Sequence, residues 1–270
     1  MSDQPKEMSF LGHLEELRWH LVRSSIAVFV IAIVLFIYIT EVYDSFLLAH
    51  LDPNFATYKF FCQVFGSIGI ESSFCTLSFP QKLQSLALTQ QLMSSIWTSL
   101  ILGLIIAFPY LLWEMWRFIS PGLHKNERRK SQGFIFIASL LFFIGVLFSY
   151  YIIAPMSVSF FYGYEISDRI VNNFTLDSYT GLITNTLLGV SLVFELPVVI
   201  FFLTKIGLVS PEFLKKYRKH ALILVLVLSA IITPPDVASQ IIVSIPILIL
   251  YEISISISRI VIKKQQKNAS

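Results

Sequence analysis

Six long apolar stretches divide the chain, separated by polar gaps of unequal length. None alternates with a period of two, and each is too long for a half-buried strand, so each predicts a helix. The predicted spans are 24–39, 92–113, 134–155, 178–204, 221–232 and 237–251. Crossing the hydrocarbon core takes about 20 helical residues at a rise of about 1.5 Å each. The last two stretches fall short of that and predict a short hairpin, joined by Thr233-Pro234-Pro235-Asp236. Such a hairpin thins the bilayer or is sheltered by its neighbours. The third stretch is longer than one crossing needs, and Pro155 is expected to bend or end it. Before the first span, Phe10, Leu14, Leu17 and Leu21 recur at helical spacing in a charged segment, which predicts an amphipathic helix over 9–23. No small-residue cleavage site follows the first apolar run, so it reads as an uncleaved span.

Charge then orients the pattern. All of the 20 Lys and Arg except Lys59, Lys82 and Arg169 fall at the N-terminus, in the second and fourth gaps, or at the C-terminus. Basic residues stay on the cytoplasmic side of a membrane protein, so the alternation predicts both termini inside. The fold class expected is an all-α polytopic membrane protein of six transmembrane helices, forming a single domain over 1–270. Composition agrees: 55% of the residues are hydrophobic and 14% charged, against about 25% charged in soluble domains. The net charge of +3 adds little. The basic residues flank spans and form no stripe interleaved with aromatics, so nucleic acid is not an expected partner.

The gap 41–91 is the one long external segment. It is only moderately polar and predicts one or two short helices on the outer surface. Cys62 and Cys75 both lie in it. The space outside a bacterial cytoplasmic membrane is oxidising, so a disulfide closing this loop is one expectation, and two free thiols in packed sites the other.

Enzymatic chemistry is missing from the pattern. There is no phosphate-binding glycine loop, no HExxH, and no Cys/His cluster with metal spacing. No serine or cysteine has a nucleophile's setting. The chain is expected to be no enzyme and to need no cofactor. The informative residues are acids. Glu195 lies inside the fourth span, in Phe194-Glu195-Leu196-Pro197. An ionised carboxylate there costs about 2.5 kcal/mol or more, so it must be protonated, paired or facing a wet cavity. Pro197 also frees the carbonyl of Val193. Glu127 is a lone acid among Lys125, Arg128, Arg129 and Lys130. Glu15 and Glu16 sit in the amphipathic helix, with Arg18 three residues after the first and His20 four after the second. These acids either form weak local pairs on a solvated face or bind a cationic partner from the cytoplasm. Asp236 reads as the N-cap of the last span, with Gln240 one turn on.

The segments Phe10-Leu11-Gly12-His13-Leu14-Glu15-Glu16-Leu17-Arg18, Trp116-Arg117-Phe118-Ile119-Ser120-Pro121-Gly122-Leu123 with Glu127-Arg128-Arg129, Phe194-Glu195-Leu196-Pro197, and Thr233-Pro234-Pro235-Asp236 with Gln240 occur in that order. Together they resemble the TatC family, the multi-span subunit of the twin-arginine protein translocase. The resemblance implies a receptor in the inner membrane for paired-arginine signal peptides. It implies assembly with single-span TatA/TatB-type subunits, homo-oligomers in a receptor complex, and export of folded proteins driven by the proton-motive force. It implies signal-peptide binding by Glu16, Arg18, Phe118, Pro121 and Glu127, partner contact inside the membrane by Glu195, and an outer-hairpin role for Asp236 and Gln240. Pro109 matches the family's proline in the second span. Two guanidinium groups on a substrate suit two fixed carboxylates, because Arg–carboxylate contacts are bidentate and charge-assisted. The chain departs from the family where a proline often follows the first span, since Leu48-Ala49-His50-Leu51 stands there. The first outer loop is also longer than the family leads one to expect.

Two other readings compete with the receptor. A proton-coupled small-solute transporter would use Glu195 as its proton site, but the paired repeats and broken midplane helices of such transporters are not evident. A purely structural assembly factor of the envelope is the other.

Overall fold

A computed structural model describes residues 10–67, 75, 79, 82–119, 131–167, 169–170, 172–232 and 237–269. The helices in chain order are α1 (Phe10–Ile37), α2 (Ala56–Ser67), α3 (Gln90–Ile119), α4 (Ser131–Phe148), α5 (Ala154–Gly163), α6 (Leu176–Phe194), α7 (Leu196–Lys205), α8 (Pro211–Lys216), α9 (Arg218–Ile232) and α10 (Val237–Ala269). Among the described residues the only extended pairing is an isolated bridge between Gln84 and Thr175. Among the described residues five stretches are long and apolar enough to cross a membrane: Leu14–Ile37, Gln90–Phe118, Ile135–Gly163, Leu176–Lys205 and Gln240–Gln266. The sixth apolar helix is α9, at 15 residues the short arm of the last hairpin. The chain is an all-α polytopic membrane protein.

Several element ends differ from the sequence expectation. The amphipathic segment and the first span are one helix, because neither Gly nor Pro interrupts the chain between Leu14 and Ile37. Helix α3 runs past Trp113 to Ile119 and carries Pro109 inside it. Helix α10 continues past Tyr251 to Ala269. A helix needs backbone hydrogen bonds but no apolar surface once it leaves the hydrocarbon, so hydropathy marks the crossing and not the helix end.

The chain divides into two compact units. One comprises residues 1–39 and 99–140: α1, most of α3 and the first part of α4. Here α1 and α3 approach closely at Gly103, where a Cβ would lie 3.0 Å from the Ala32 backbone nitrogen and 3.1 Å from the Val28 carbonyl oxygen. A small residue at that point admits backbone-to-backbone contact.

The other unit comprises residues 40–98 and 141–270. Pro155 does not end the third span. A π-helical turn, Ser149–Ile153, precedes it and α5 resumes the helix. Proline takes no part as a donor, and the π-turn displaces further bonds, so carbonyls are freed. They are met from the 41–91 segment: the Thr57 hydroxyl donates to the Tyr151 carbonyl, and His50 Nε2 lies 2.9 Å from the Tyr150 oxygen. The Tyr58 hydroxyl sits between the carbonyls of His50 (2.9 Å) and Pro155 (3.1 Å) and donates to one at a time. His50 is fully buried, and burial holds its imidazole below the usual histidine pKa. This segment folds into a 3-10 turn, Leu48–Leu51, and α2. Cys62 and Cys75 are joined in a disulfide across a separation of 13 residues, which decides between the two expectations for that pair.

In the same unit α10 packs on α7 and α9 through Ile153, Val225, Val243 and Ile247 in one layer and Ile200, Leu214, Tyr251 and Ile255 in another. Hydroxyls join these helices: Thr204 donates to Ser258 at 2.9 Å, Ser229 meets Ser244 at 3.1 Å, and Tyr251 donates to the Leu214 carbonyl at 2.7 Å. Such bonds satisfy polar groups where water cannot. Gly145 lets α4 lie against α6, since a Cβ there would come within 2.8 Å of the Ser191 Cα.

Candidate functional site

The unit built on α1 and α3 holds a carboxylate that sequence reasoning passed over. Glu114 is 1% exposed. Its Oε2 is bonded by His20 Nδ1 and lies 4.0 Å from Arg23 Nη1. Its Oε1 accepts from the Tyr110 hydroxyl at 2.9 Å and lies 3.7 Å from Arg117 Nη1. Two of these groups come from α1 and two from Glu114's own helix, one turn to either side. The His20 ring also meets the Phe118 ring edge-on, at a centroid distance of 6.0 Å. The Arg117 guanidinium lies over the Trp113 ring at 4.8 Å.

Glu16 lies one helical turn before His20 on the same face of α1. It is half-buried, and its Oε2 has no hydrogen-bond partner among the described residues. The local Glu16–His20 pair expected from spacing is replaced: His20 bonds Glu114 instead, because a buried carboxylate demands a donor more strongly than a half-buried one. Arg18 is exposed on another face. Phe118 is half-buried against His20. Pro121 and Glu127 lie outside the described residues, as does Asp236.

Glu195 occupies the break between α6 and α7 in the other unit. Its N–H bonds the Leu192 carbonyl at 3.1 Å, and its own carbonyl accepts from Val198 and Val199. Pro197 stands in the first turn of α7, so the fourth span, expected as one run over 178–204, is two helices that meet at Glu195. The side chain is 7% exposed, and both carboxyl oxygens are buried with no hydrogen-bond partner among the described residues. Gln240 donates to the Leu226 carbonyl at 3.1 Å, tying α10 to α9. Among the described residues no group of His, Cys, Asp and Glu has the makings of a metal site.

Residues 12–246 match the family model of the Sec-independent protein translocase protein TatC. The chain is 40% identical to the Sec-independent protein translocase protein TatC of Blattabacterium sp. subsp. Periplaneta americana (strain BPLAN), over 98% of this chain and 100% of that one. The chain belongs to the TatC family. The corresponding protein of Desulforapulum autotrophicum is 35% identical, covering 99% of this chain and 90% of that one. The crystal structure of a twin-arginine translocase receptor, TatC, superposes with a TM-score of 0.70 at 31% identity, over 92% of this chain and 99% of that one. A second TatC receptor structure, in DDM, gives 0.69 at 30%. As a TatC-family member the chain is a component of the Sec-independent translocase, and a multi-pass membrane protein.

Within this family frame the acid that the sequence hid was Glu114. Ending the second span at Trp113 placed it just beyond the apolar run, where an acid is unremarkable. The helix continues to Ile119, so Glu114 is an acid inside a helix as much as Glu195 is. The signal that marks such residues, a lone carboxylate within helical periodicity, was available for both.

Proposed function

We propose that this chain is the receptor subunit of a twin-arginine translocase in the inner membrane, binding paired-arginine signal peptides with Glu16 and Glu127. The observation that carries this reading is the Oε2 of Glu16, buried and without a hydrogen-bond partner among the described residues. Such an oxygen calls for a donor from outside, and a guanidinium supplies two in a fixed fork. Phe118, Arg18 and Pro121 complete the cytoplasmic patch in this reading, and both termini face the cytoplasm, as the basic gaps require. The crystal structure of a protein described as a twin-arginine translocase receptor supports the same role.

Glu195 serves the second half of the reading. Two buried carboxyl oxygens with no partner among the described residues form an acceptor for a polar group on a single-span TatA/TatB-type subunit. Asp236 and Gln240 mark the outer hairpin in this reading. Export of folded proteins then draws on the proton-motive force, with no enzymatic step in this chain, and receptor units assemble as homo-oligomers.

The test is binding of a synthetic paired-arginine signal peptide to the detergent-purified chain. Wild type is expected to bind the peptide and to bind it more weakly, by about tenfold or more, when both arginines become lysines. Glu16→Ala and Glu127→Ala are each expected to weaken binding about tenfold or more, the loss of a charge-assisted bidentate contact. Binding indifferent to both substitutions would overturn the assignment of these acids.

A further inference from the structure

We propose that the buried pair of Glu114 and His20 is the positioning device of the arginine-binding site, setting the register of α1 on α3 and through it the Glu16 carboxylate. The inference rests on the reading of Glu16 given above and assigns it a support that the sequence did not reveal.

The placement of Glu114 is what calls for an explanation. A carboxylate 1% exposed is held only where donors converge on it. Here the convergence joins two helices at one level, with His20 and Arg23 from α1, Tyr110 and Arg117 from α3. The two helices run antiparallel in this unit: Gly103 meets Val28 and Ala32, and Glu114 meets His20. Close packing at Gly103 fixes the crossing at one point but leaves α1 free to rotate or slide about it. The hydrogen bond between His20 and Glu114 supplies the second point and removes that freedom. Continued by one turn along the same register, the contacts bring Phe118 to His20 and place Glu16 beyond it, toward the end of α3.

Position matters to Glu16 for a chemical reason. A carboxylate meets guanidinium through two parallel bonds and needs a fixed plane, whereas it meets an ammonium as a point charge from many directions. Loosening Glu16 therefore removes the preference for arginine while leaving attraction to lysine nearly intact. A residue that only stabilised the fold would not change that ratio. Glu114 and His20 are thus positioning residues, acting on the substrate through Glu16.

The test compares the detergent-purified full chain with His20→Ala, Glu114→Gln and His20→Arg, in wild-type and Glu16→Gln backgrounds. The probes are a synthetic paired-arginine signal peptide and its paired-lysine counterpart. His20→Ala is expected to weaken the arginine peptide about tenfold, the middle of the coupling range for residues sharing one network, with little change for the lysine peptide. Glu114→Gln is expected to do the same to a smaller degree. His20→Arg restores a donor to Glu114 and is expected to recover the wild-type ratio. In the Glu16→Gln background the same substitutions are expected to add nothing further. Equal weakening of both peptides, or full additivity with Glu16→Gln, would overturn the inference and leave the pair a structural brace. Loss of binding in Glu16→Gln with none in His20→Ala or Glu114→Gln would sink the inference alone. No effect of Glu16→Gln itself would sink the reading on which it rests. Arg218→Ala, in an exposed pair with Glu252 in the other unit, serves as the unaffected control.

Discussion

Among the described residues two glutamates lie buried, Glu114 within α3 and Glu195 between α6 and α7, and they are treated in opposite ways. Glu114 is bonded by His20 and Tyr110 and flanked by Arg23 and Arg117. Glu195 has neither carboxyl oxygen bonded among the described residues. The same side chain at similar burial thus serves two purposes. A carboxylate satisfied from its own chain fixes the geometry of that chain. A carboxyl group left unsatisfied is an acceptor waiting for a group the chain does not contain. Burial alone distinguishes neither case; the list of donors does.

The sharpest way to break this contrast is to remove each acid in turn. Glu114→Ala removes the acceptor bonded by His20 and Tyr110, and is expected to destabilise the purified protein by about 3 kcal/mol, the loss of two hydrogen bonds to a carboxylate. A thermal unfolding curve in detergent measures it, and an unchanged midpoint would mean that the four donors are incidental. The Cys62–Cys75 disulfide sets a covalent scale for that number. Cys62→Ser is expected to lower stability by about 2–3 kcal/mol, as for a loop of this length, with the same loss on reduction of the wild type. Glu195→Gln should behave differently from both. Its stability is expected to stay level or rise by about 1 kcal/mol, because no donor is orphaned. Co-purification of single-span subunits with that variant is expected to fall. A destabilised Glu195→Gln protein would show that the group has a partner within the fold after all.

His50 extends the comparison to a buried base, with the smallest expected effect. Its ring nitrogens face the Leu47 and Tyr150 carbonyls, and burial lowers its folded pKa below the ordinary 6.5. The unfolded chain then binds the proton more readily than the folded one. Stability from this group is complete above pH 6.5 and is lost as pH falls through the folded value. The unfolding midpoint is expected to drop on acidification below pH 6.5, and that part of the dependence to vanish in His50→Gln. A pH dependence unchanged in His50→Gln would mean that folding leaves the proton affinity of the imidazole unaltered.

Much of this was legible in the chain. The apolar stretches correspond to helices, since a period near 3.6 over many residues admits no other regular structure. Glu195 stood out because it lies in the middle of its run, while the break beside Pro197 came only with the structure. Glu114 did not stand out because it lies where apolar periodicity fades, and hydropathy cannot tell a helix leaving the membrane from a helix ending. The pairing of His20 was misread for a related reason. Spacing along one helix names the nearest neighbour in sequence, and the stronger partner came from another helix. Pro155 was expected to bend or end its span, yet the π-turn before it and the donors Thr57 and His50 from a distant segment absorb it.

By itself, then, the sequence determined the kind of elements and where the apolar runs lie, the family, and the acids that stand out against their surroundings. These follow from local composition and periodicity, which need no partner to be read. Only the tertiary structure decided which buried acid is satisfied and which is left open, that Cys62 meets Cys75, and that α1 is pinned to α3 at Gly103 and at Glu114. Each of these depends on groups far apart in the chain meeting within a few ångströms. The free energy of a buried charge is set by that meeting, and no pattern along the chain records it.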